Sequence, residues 1–492
     1  MQPQFNEEEK PLHMPTVMLA EDGEAFNRVN KELWDKGHYV LPRPDILDLL
    51  LAEYFEVWHP WYPVLDKRSF YEALRTNTFS HQLLQAVLMT AATHCDISII
   101  TRAGFPTRRA AVDAFYTRTR GLFDGDVEPD KLTNIQTLFL LQFWWRAVTD
   151  HKDPLWWLGG AIRQAQAMGL HRSAANSNLS DTDKSTWRRV WWLLYLRDRL
   201  ASAHYGRPMM IRRSDCDVEP ITAADLPALT EVQTDYIIAV VELAHLIAPI
   251  THCEFTPGAA THPSRLHRRD TCHTQLRNWQ HSLPPSLIYT PHTPHLSAMH
   301  LQITFLGALL LLNRPILYTA ATPTLPPLLR AQSESIANHA AEAITKTTHD
   351  ILRLYGPRFL NGHHMSCFFS AMTAQLVDSR SADPARAAEA ARKLEHNLEV
   401  TRTLEEVLPM ANWFRNRLLR TLEGRDGDRA AALSPPAAED ASVDAAGDAG
   451  WGEAESAELF DYQWFVDNIG APGEVQVGGG EQFWWAPEQQ HQ

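Results

Sequence analysis

An all-α architecture is predicted by three observations. Apolar residues recur at three- and four-residue spacing through most of the chain. No stretch alternates with period two for long enough to build a sheet. Prolines and glycines interrupt the periodic segments where helices should end. The expected arrangement is a single large helical domain of packed helix hairpins around a Leu- and Trp-rich core, residues 41–422. A partly ordered lead-in, 1–40, precedes it, and a disordered acidic tail, 423–492, follows it.

The lead-in is polar and mixed. Asp45 is placed to cap a helix carrying Ile46, Leu49, Leu50, Tyr54 and Val57 on one face. Pro60 and Pro63 forbid its continuation. Ser80 caps the next helix, which runs to Cys95, and helices over 105–122 and 132–148 follow. The second of these carries Ile135, Leu138, Phe139, Gln142 and Trp145 at helical spacing. Residues 153–169 form a helix ending at Gly169 in a left-handed cap. In the segment around Trp187–Arg199, Val190, Leu193, Leu194 and Arg197 define a helix with one broad apolar face, stopped by Gly206 and Pro208. Residues 226–250 are helical, 252–263 loop, and 264–283 a helix closed by Pro284-Pro285. The most apolar helix, 296–312, stops at Asn313-Arg314-Pro315. Helices over 331–355, 363–377 and 383–422 complete the series.

Composition narrows the class. The chain has 492 residues, 45% hydrophobic and 21% charged, as in globular proteins. No apolar run is read as reaching the roughly 18 residues that span a bilayer, and the N-terminus lacks an apolar secretory core, so no membrane or secreted location is expected. Five scattered cysteines imply a reducing compartment rather than a disulfide framework. The net charge of −14 is unevenly placed: residues 421–492 hold 15 acidic and 2 basic side chains, while the first 420 residues are nearly neutral. No broad basic face for DNA is indicated.

The stretch 159–220 organises the chain. Gly169-Leu170-His171-Arg172 is followed by Arg188-Arg189-Val190-Trp191-Trp192, then Asp198-Arg199, then Gly206-Arg207-Pro208, then an acidic segment ending at Pro220. This order resembles the fungal-specific transcription factor domain, the middle homology region that follows the binuclear zinc cluster in many fungal regulators. Tyr54-Phe55, His59-Pro60, Tyr62-Pro63 and Ser69-Phe70 fill the places of the family's opening, and Leu276, Trp279, Leu283-Pro284, His300 and Arg314-Pro315 are similar to its C-terminal half. The resemblance covers 41–318 firmly and extends loosely to 422. It implies an all-α regulatory domain that senses inducers or restrains activity, a nuclear location, and control of metabolic genes for catabolism or secondary metabolites. The signature residues themselves are read as structural.

Candidate sites are few. A binuclear zinc cluster needs six thiolates in two Cys-x2-Cys halves. Here the nearest pair, Cys253 and Cys272, is 19 positions apart. No cofactor is therefore expected, zinc entering only with a cluster N-terminal to these residues, and DNA contact is expected to be indirect or supplied by a partner. His252, Cys253, His262, His267, Cys272 and His273 match no zinc spacing and read as a solvated His-rich loop. Asp124–Asp130 imitates a calcium loop, but Pro129 and Ile135 stand where Gly and Glu are required. Trp144-Trp145, Trp156-Trp157 and Trp191-Trp192 would serve either as core or as walls of an effector pocket, and core is the ordinary use of such aromatics. Arg188-Arg189 and Arg197-Asp198-Arg199 read as internal ion pairs beside a solvated face. No Gly-x-Ser-x-Gly, phosphate loop, dinucleotide fingerprint or Asp-Asp-x-x-Asp occurs, so no enzyme is expected.

The tail alternates acidic and aromatic residues, the pattern of an activation segment that folds onto a groove of a coactivator or the transcription machinery. Leu459, Phe460, Trp464 and Phe465 are its expected anchors. The other expectation is a protein that does not bind DNA itself and forms homo- or heterodimers with zinc-cluster regulators, repressing them.

Overall fold

Local chemistry decides where most of the helices begin. The computed structural model describes residues 23–423 apart from 147–149, 257, 258, 260, 261, 263, 293 and 319–326. Among the described residues there are sixteen α-helices and no strand. The lead-in contains helix α1 (Gly23–Asp35), whose Leu33, with Tyr39 just beyond it, packs on Leu122 in a small satellite cluster.

Helix α2 (Pro44–Glu53) starts on Pro44 with Arg43 at the cap, not on Asp45. Proline supplies a preset φ and lacks the N–H that a cap would have to satisfy, so the Asp45 carboxylate is left to pair with Arg43 and Arg102. The helix then widens into a π turn, Tyr54–Trp58, closed by His59 N donating to Tyr54 O at 2.8 Å. The extra residue in that turn buries Tyr54, Phe55, Val57 and Trp58 together. Helix α3 (Lys67–Arg75) is capped by Asp66 and helix α4 (His81–His94) by Ser80, whose hydroxyl accepts from Leu83 N. Short α5 (Ile97–Arg102) leads to α6 (Arg108–Asp124), begun by Thr107. Each such side-chain cap contributes about 1 kcal/mol.

Helix α7 (Lys131–Leu141) ends seven residues earlier than its apolar periodicity suggests. Tertiary bonds take over there. Trp144 stacks on Tyr116 with centroids 3.6 Å apart, and Arg109 donates to Trp145 O at 2.9 Å. Helix α8 (Pro154–Met168) and helix α9 (Asp181–Tyr205) end as expected on left-handed Gly169, φ 96°, and Gly206, φ 59°. Helix α10 (Glu231–Glu254) begins on a Thr230/Gln233 capping box and runs through Pro249, past the expected end at 250. The loop after it is correspondingly shorter. Helix α11 (Arg265–His281) is closed by Pro284-Pro285. Helix α12 (Leu296–Tyr318) also continues through a proline, Pro315, rather than stopping at Asn313. A single missing N–H is tolerated when the rest of the helix is packed. The chain then forms α13 (Pro327–Leu354), α14 (Gly362–Asp378), α15 (Pro384–Leu404) and α16 (Met410–Glu423).

One continuous apolar core extends from Ile46 to Leu418. Its closest helix pairs are α12 with α13, α4 with α6, α13 with α14 and α7 with α8. Helix α9 lies deepest. All residues from 189 to 202 are buried, so the broad apolar face expected for it is in fact a helix enclosed on every side. Helices α10 and α12 are long and apolar enough to cross a membrane by length and composition, contrary to the expectation from apolar runs. Of the most apolar windows, 83% in α12 and 56% in α10 is buried inside the fold, so α12 above all is a core helix by position.

Candidate functional site

The block around α9 is held by polar side chains that reach across to the following loop. Arg188 pairs with both carboxylate oxygens of Asp225, at 3.1 and 3.3 Å, and Arg189 donates to Asp225 O at 2.9 Å. Trp192 donates its indole N–H to Glu219 O at 2.7 Å. Fully buried Asp198 accepts from Met210 N at 2.9 Å, Ile211 N at 3.0 Å and Arg199 Nη1 at 2.5 Å. Arg199 returns a bond to Ile211 O at 2.7 Å and lies over the Tyr195 ring.

This geometry accounts for the spacing of the signature. Gly206 must turn left-handed so that 210 and 211 come back over Asp198; Arg207 is half-buried and Pro208 exposed on the turn between them. Gly169 makes the corresponding turn after α8, burying Leu170 and bringing His171 within 5.9 Å of Trp191. Arg172 then forks onto exposed Asp217, 2.9 Å on each arm. The structure thus brings Gly169 through Pro208 into one interlocked unit of helix and loop. Leu459, Phe460, Trp464 and Phe465 lie outside the described residues.

Beside α9 is a cavity of about 400 Å³. Its walls come from α4, α6, the turn after α7, α9, the start of α14 and the link between α15 and α16. Of the tryptophan pairs, Trp144 and Trp145 line it. Trp157, Trp191 and Trp192 are core, and Trp156 is exposed beneath Lys152. Charged groups at the cavity are mostly matched: Arg108 pairs with Glu406 at 3.3 Å and also donates to Ala92, Thr93 and Cys95 carbonyls, while Glu405 pairs with Arg415 at 2.6 Å.

A cluster of histidines adjoins it. His300 and His364 stack at 4.3 Å, and Trp61 presents its edge to both and to His94. His94 bonds Arg358 O, His300 bonds Phe359 O, and His363 bonds the Thr304 hydroxyl. His204, His363 and Cys367 bring ligand-type atoms within 4.8 Å of one another. Yet neutral His204 has its one N–H to give to a carbonyl, with Leu200 O 2.6 Å from Nδ1 and His363 O 3.2 Å from Nε2, and His363 Nε2 faces the Thr304 hydroxyl. These are the contacts of core histidines rather than of an open metal site. Among the described residues, the His252–His273 grouping forms no such trio. Cys253 and Cys272 are buried, and His252 and His262 bond local backbone.

Burial holds His94 and His300 at about 4 and His204 at about 3, below the usual 6.5. The native fold therefore keeps these rings neutral while an unfolded chain takes up protons near 6.5. Their stabilisation is complete above that pH and is lost as pH falls toward 4, each ring steepening the decline by up to about 1.4 kcal/mol per pH unit. The urea midpoint is accordingly lower at pH 5 than at pH 7; equal midpoints would contradict this assignment.

Trp144-Trp145 was the one sequence signal for the cavity, as a pair that could wall an effector pocket, and the histidine cluster carried none. Arg197, His204 and His363 are brought together from positions up to 166 apart, and no local spacing links them.

Buried arginines and aspartates stitch the central helix of this all-helical bundle to its following loop. Residues 51–278 match the fungal specific transcription factor domain. Among its relatives, cutinase transcription factor 1 beta of Fusarium vanettenii is 25% identical, over 86% of this chain and 54% of that protein. Cutinase transcription factor 1 alpha of the same fungus is 29% identical, over 72% and 40%. The acetamidase regulatory protein of Aspergillus fumigatus is 29% identical, over 72% and 46%. The chain spans about half the length of these relatives.

Proposed function

We propose that this chain is a fungal transcription regulator of metabolic genes, working in the nucleus through its helical regulatory domain and an activation segment within 423–492. The observation that carries the reading is the match of 51–278 to the regulatory domain of fungal transcription factors, over the same residues that form the interlocked α8–α9 unit. Its relatives' names place such proteins over cutinase and acetamidase genes. The acidic and aromatic composition of 423–492 supports the second part. Fused to an unrelated DNA-binding domain, that segment is expected to activate a reporter. Replacing Phe460, Trp464 and Phe465 by Ala is expected to abolish activation, each anchor costing about 2 kcal/mol of coactivator binding. An inert fusion would remove the activation role.

A second reading is a partner or repressor that heterodimerises with zinc-cluster factors. It starts from the five cysteines, which are all buried in the helical body and stand in no Cys-x2-Cys spacing within these residues. A gel shift with purified chain decides between them on DNA contact: tight sequence-specific binding by the chain alone excludes the partner reading.

A further inference from the structure

Among the described residues, Arg197 is the one charged group at the cavity that the scaffold leaves without a counter-ion. It is only 8% exposed, and it forms no ion pair with a described residue. Its Nε donates to Gln142 Oε1 at 3.0 Å and its Nη1 to the Tyr62 hydroxyl at 3.4 Å, while no described acceptor meets Nη2. The guanidinium lies over the Phe143 ring, 4.7 Å from its centroid. Its partners are thus neutral groups, and the cavity's carboxylates, Glu405 and Glu406, are already held by Arg415 and Arg108. Other buried guanidiniums in this fold have a carboxylate or a backbone carbonyl: Arg199 meets Asp198, Arg265 and Arg269 meet Glu254, and Arg189, away from the cavity, donates to the Asp225 carbonyl. A buried charge that faces open space and lacks such a partner is complementary to an anion from outside.

The other walls say what the rest of that anion must be. Val112, Phe143, Trp144 and Leu200 make the cavity largely hydrocarbon and aromatic. Its volume of about 400 Å³ falls near the lower end of the range, about 300–1,000 Å³, seen for small-molecule sites. One unmatched cation suits one negative charge rather than the two of a phosphate monoester. We propose that this cavity binds a small monocarboxylic acid, its carboxylate on Arg197 and its apolar body against Phe143, Trp144 and Leu200. The inference is independent of the transcriptional reading, because it concerns binding by the purified chain.

The test is calorimetric titration of the full chain with hexanoate, octanoate and decanoate, each beside the primary alcohol and the primary amine of equal length. At least one acid is expected to bind at a single site, about tenfold or more tighter than its alcohol, with no binding of the amine. Arg197→Gln should bring the acid down to the alcohol's affinity, and Val112→Trp, which fills the cavity and keeps the charge, should abolish both. Circular dichroism verifies that each variant is folded. If Arg197→Gln does not fold, the acid-to-alcohol ratio on the native chain and the Val112→Trp result decide. The proposal is overturned if no acid binds, if acid and alcohol bind equally, or if either folded variant binds the acid undiminished.

Discussion

Asp198→Ala lowers the stability of the domain by about 3–5 kcal/mol, the cost of removing one member of a buried ion pair. Three donors lose their acceptor at once: Met210 N, Ile211 N and Arg199 Nη1. Arg199, 2% exposed, is then a buried charge with only the Ile211 carbonyl and the Tyr195 face to compensate it. Globular domains have about 5–15 kcal/mol in total, so the variant is expected to be largely unfolded at modest urea concentrations. Chemical denaturation followed by far-ultraviolet dichroism measures this. A midpoint unchanged from the native chain would show that the loop after α9 is not held by Asp198. The exposed Arg172–Asp217 pair provides the contrast. Its guanidinium forks onto the carboxylate with two bonds, but both side chains are more than half exposed, so Asp217→Ala is expected to leave the midpoint where it was.

Glu254→Ala is expected to have an effect of similar or greater size, also about 3–5 kcal/mol, because two buried guanidiniums lose the same carboxylate. Glu254 is fully enclosed and accepts from Arg265 and Arg269, each at 2.7 Å. Arg269 continues the chain of contacts to Leu312 O, the Asn313 side chain and the Ser333 hydroxyl. One carboxylate at the end of α10 therefore fixes α11, α12 and α13 relative to one another. Replacing Arg269 by Met in the Glu254→Ala background removes one of the stranded charges and should recover part of the loss. A double variant less stable than the sum of the two single changes would contradict this account.

Much of the helical layout was legible because it rests on chemistry within a few residues. Ser80 and Asp153 accept from backbone N–H groups three residues on, and Gly169 and Gly206 take the left-handed turns that end α8 and α9. Periodicity continued past Leu141, yet the helix stops because Trp144 stacks on Tyr116 and the Trp145 carbonyl accepts from Arg109, whereas α10 and α12 pass through Pro249 and Pro315. Propensity is a weak prior wherever tertiary contacts are numerous.

The candidate site was far less legible. The order Gly-Leu-His-Arg, Arg-Arg-x-Trp-Trp, Asp-Arg, Gly-Arg-Pro was visible as a pattern and identified the kind of domain. It did not disclose that Asp198 serves the backbone of 210 and 211, or that Arg189 serves the carbonyl of Asp225. Those partners are backbone atoms, which every residue carries, so no side-chain pattern announces them. Nor did it separate Arg197, turned to a cavity, from Arg199, closed on a carboxylate, two positions along the same buried helix.

What could be read from residue order alone was the helical class, the caps and the block that marks the domain, since each depends on neighbours three to five positions away. What waited for the folded chain was which charges are matched and which histidines and arginines share a cavity. Burial on all sides of α9 is set by helices far away in sequence, and a side chain's partner is known only when those helices are in place.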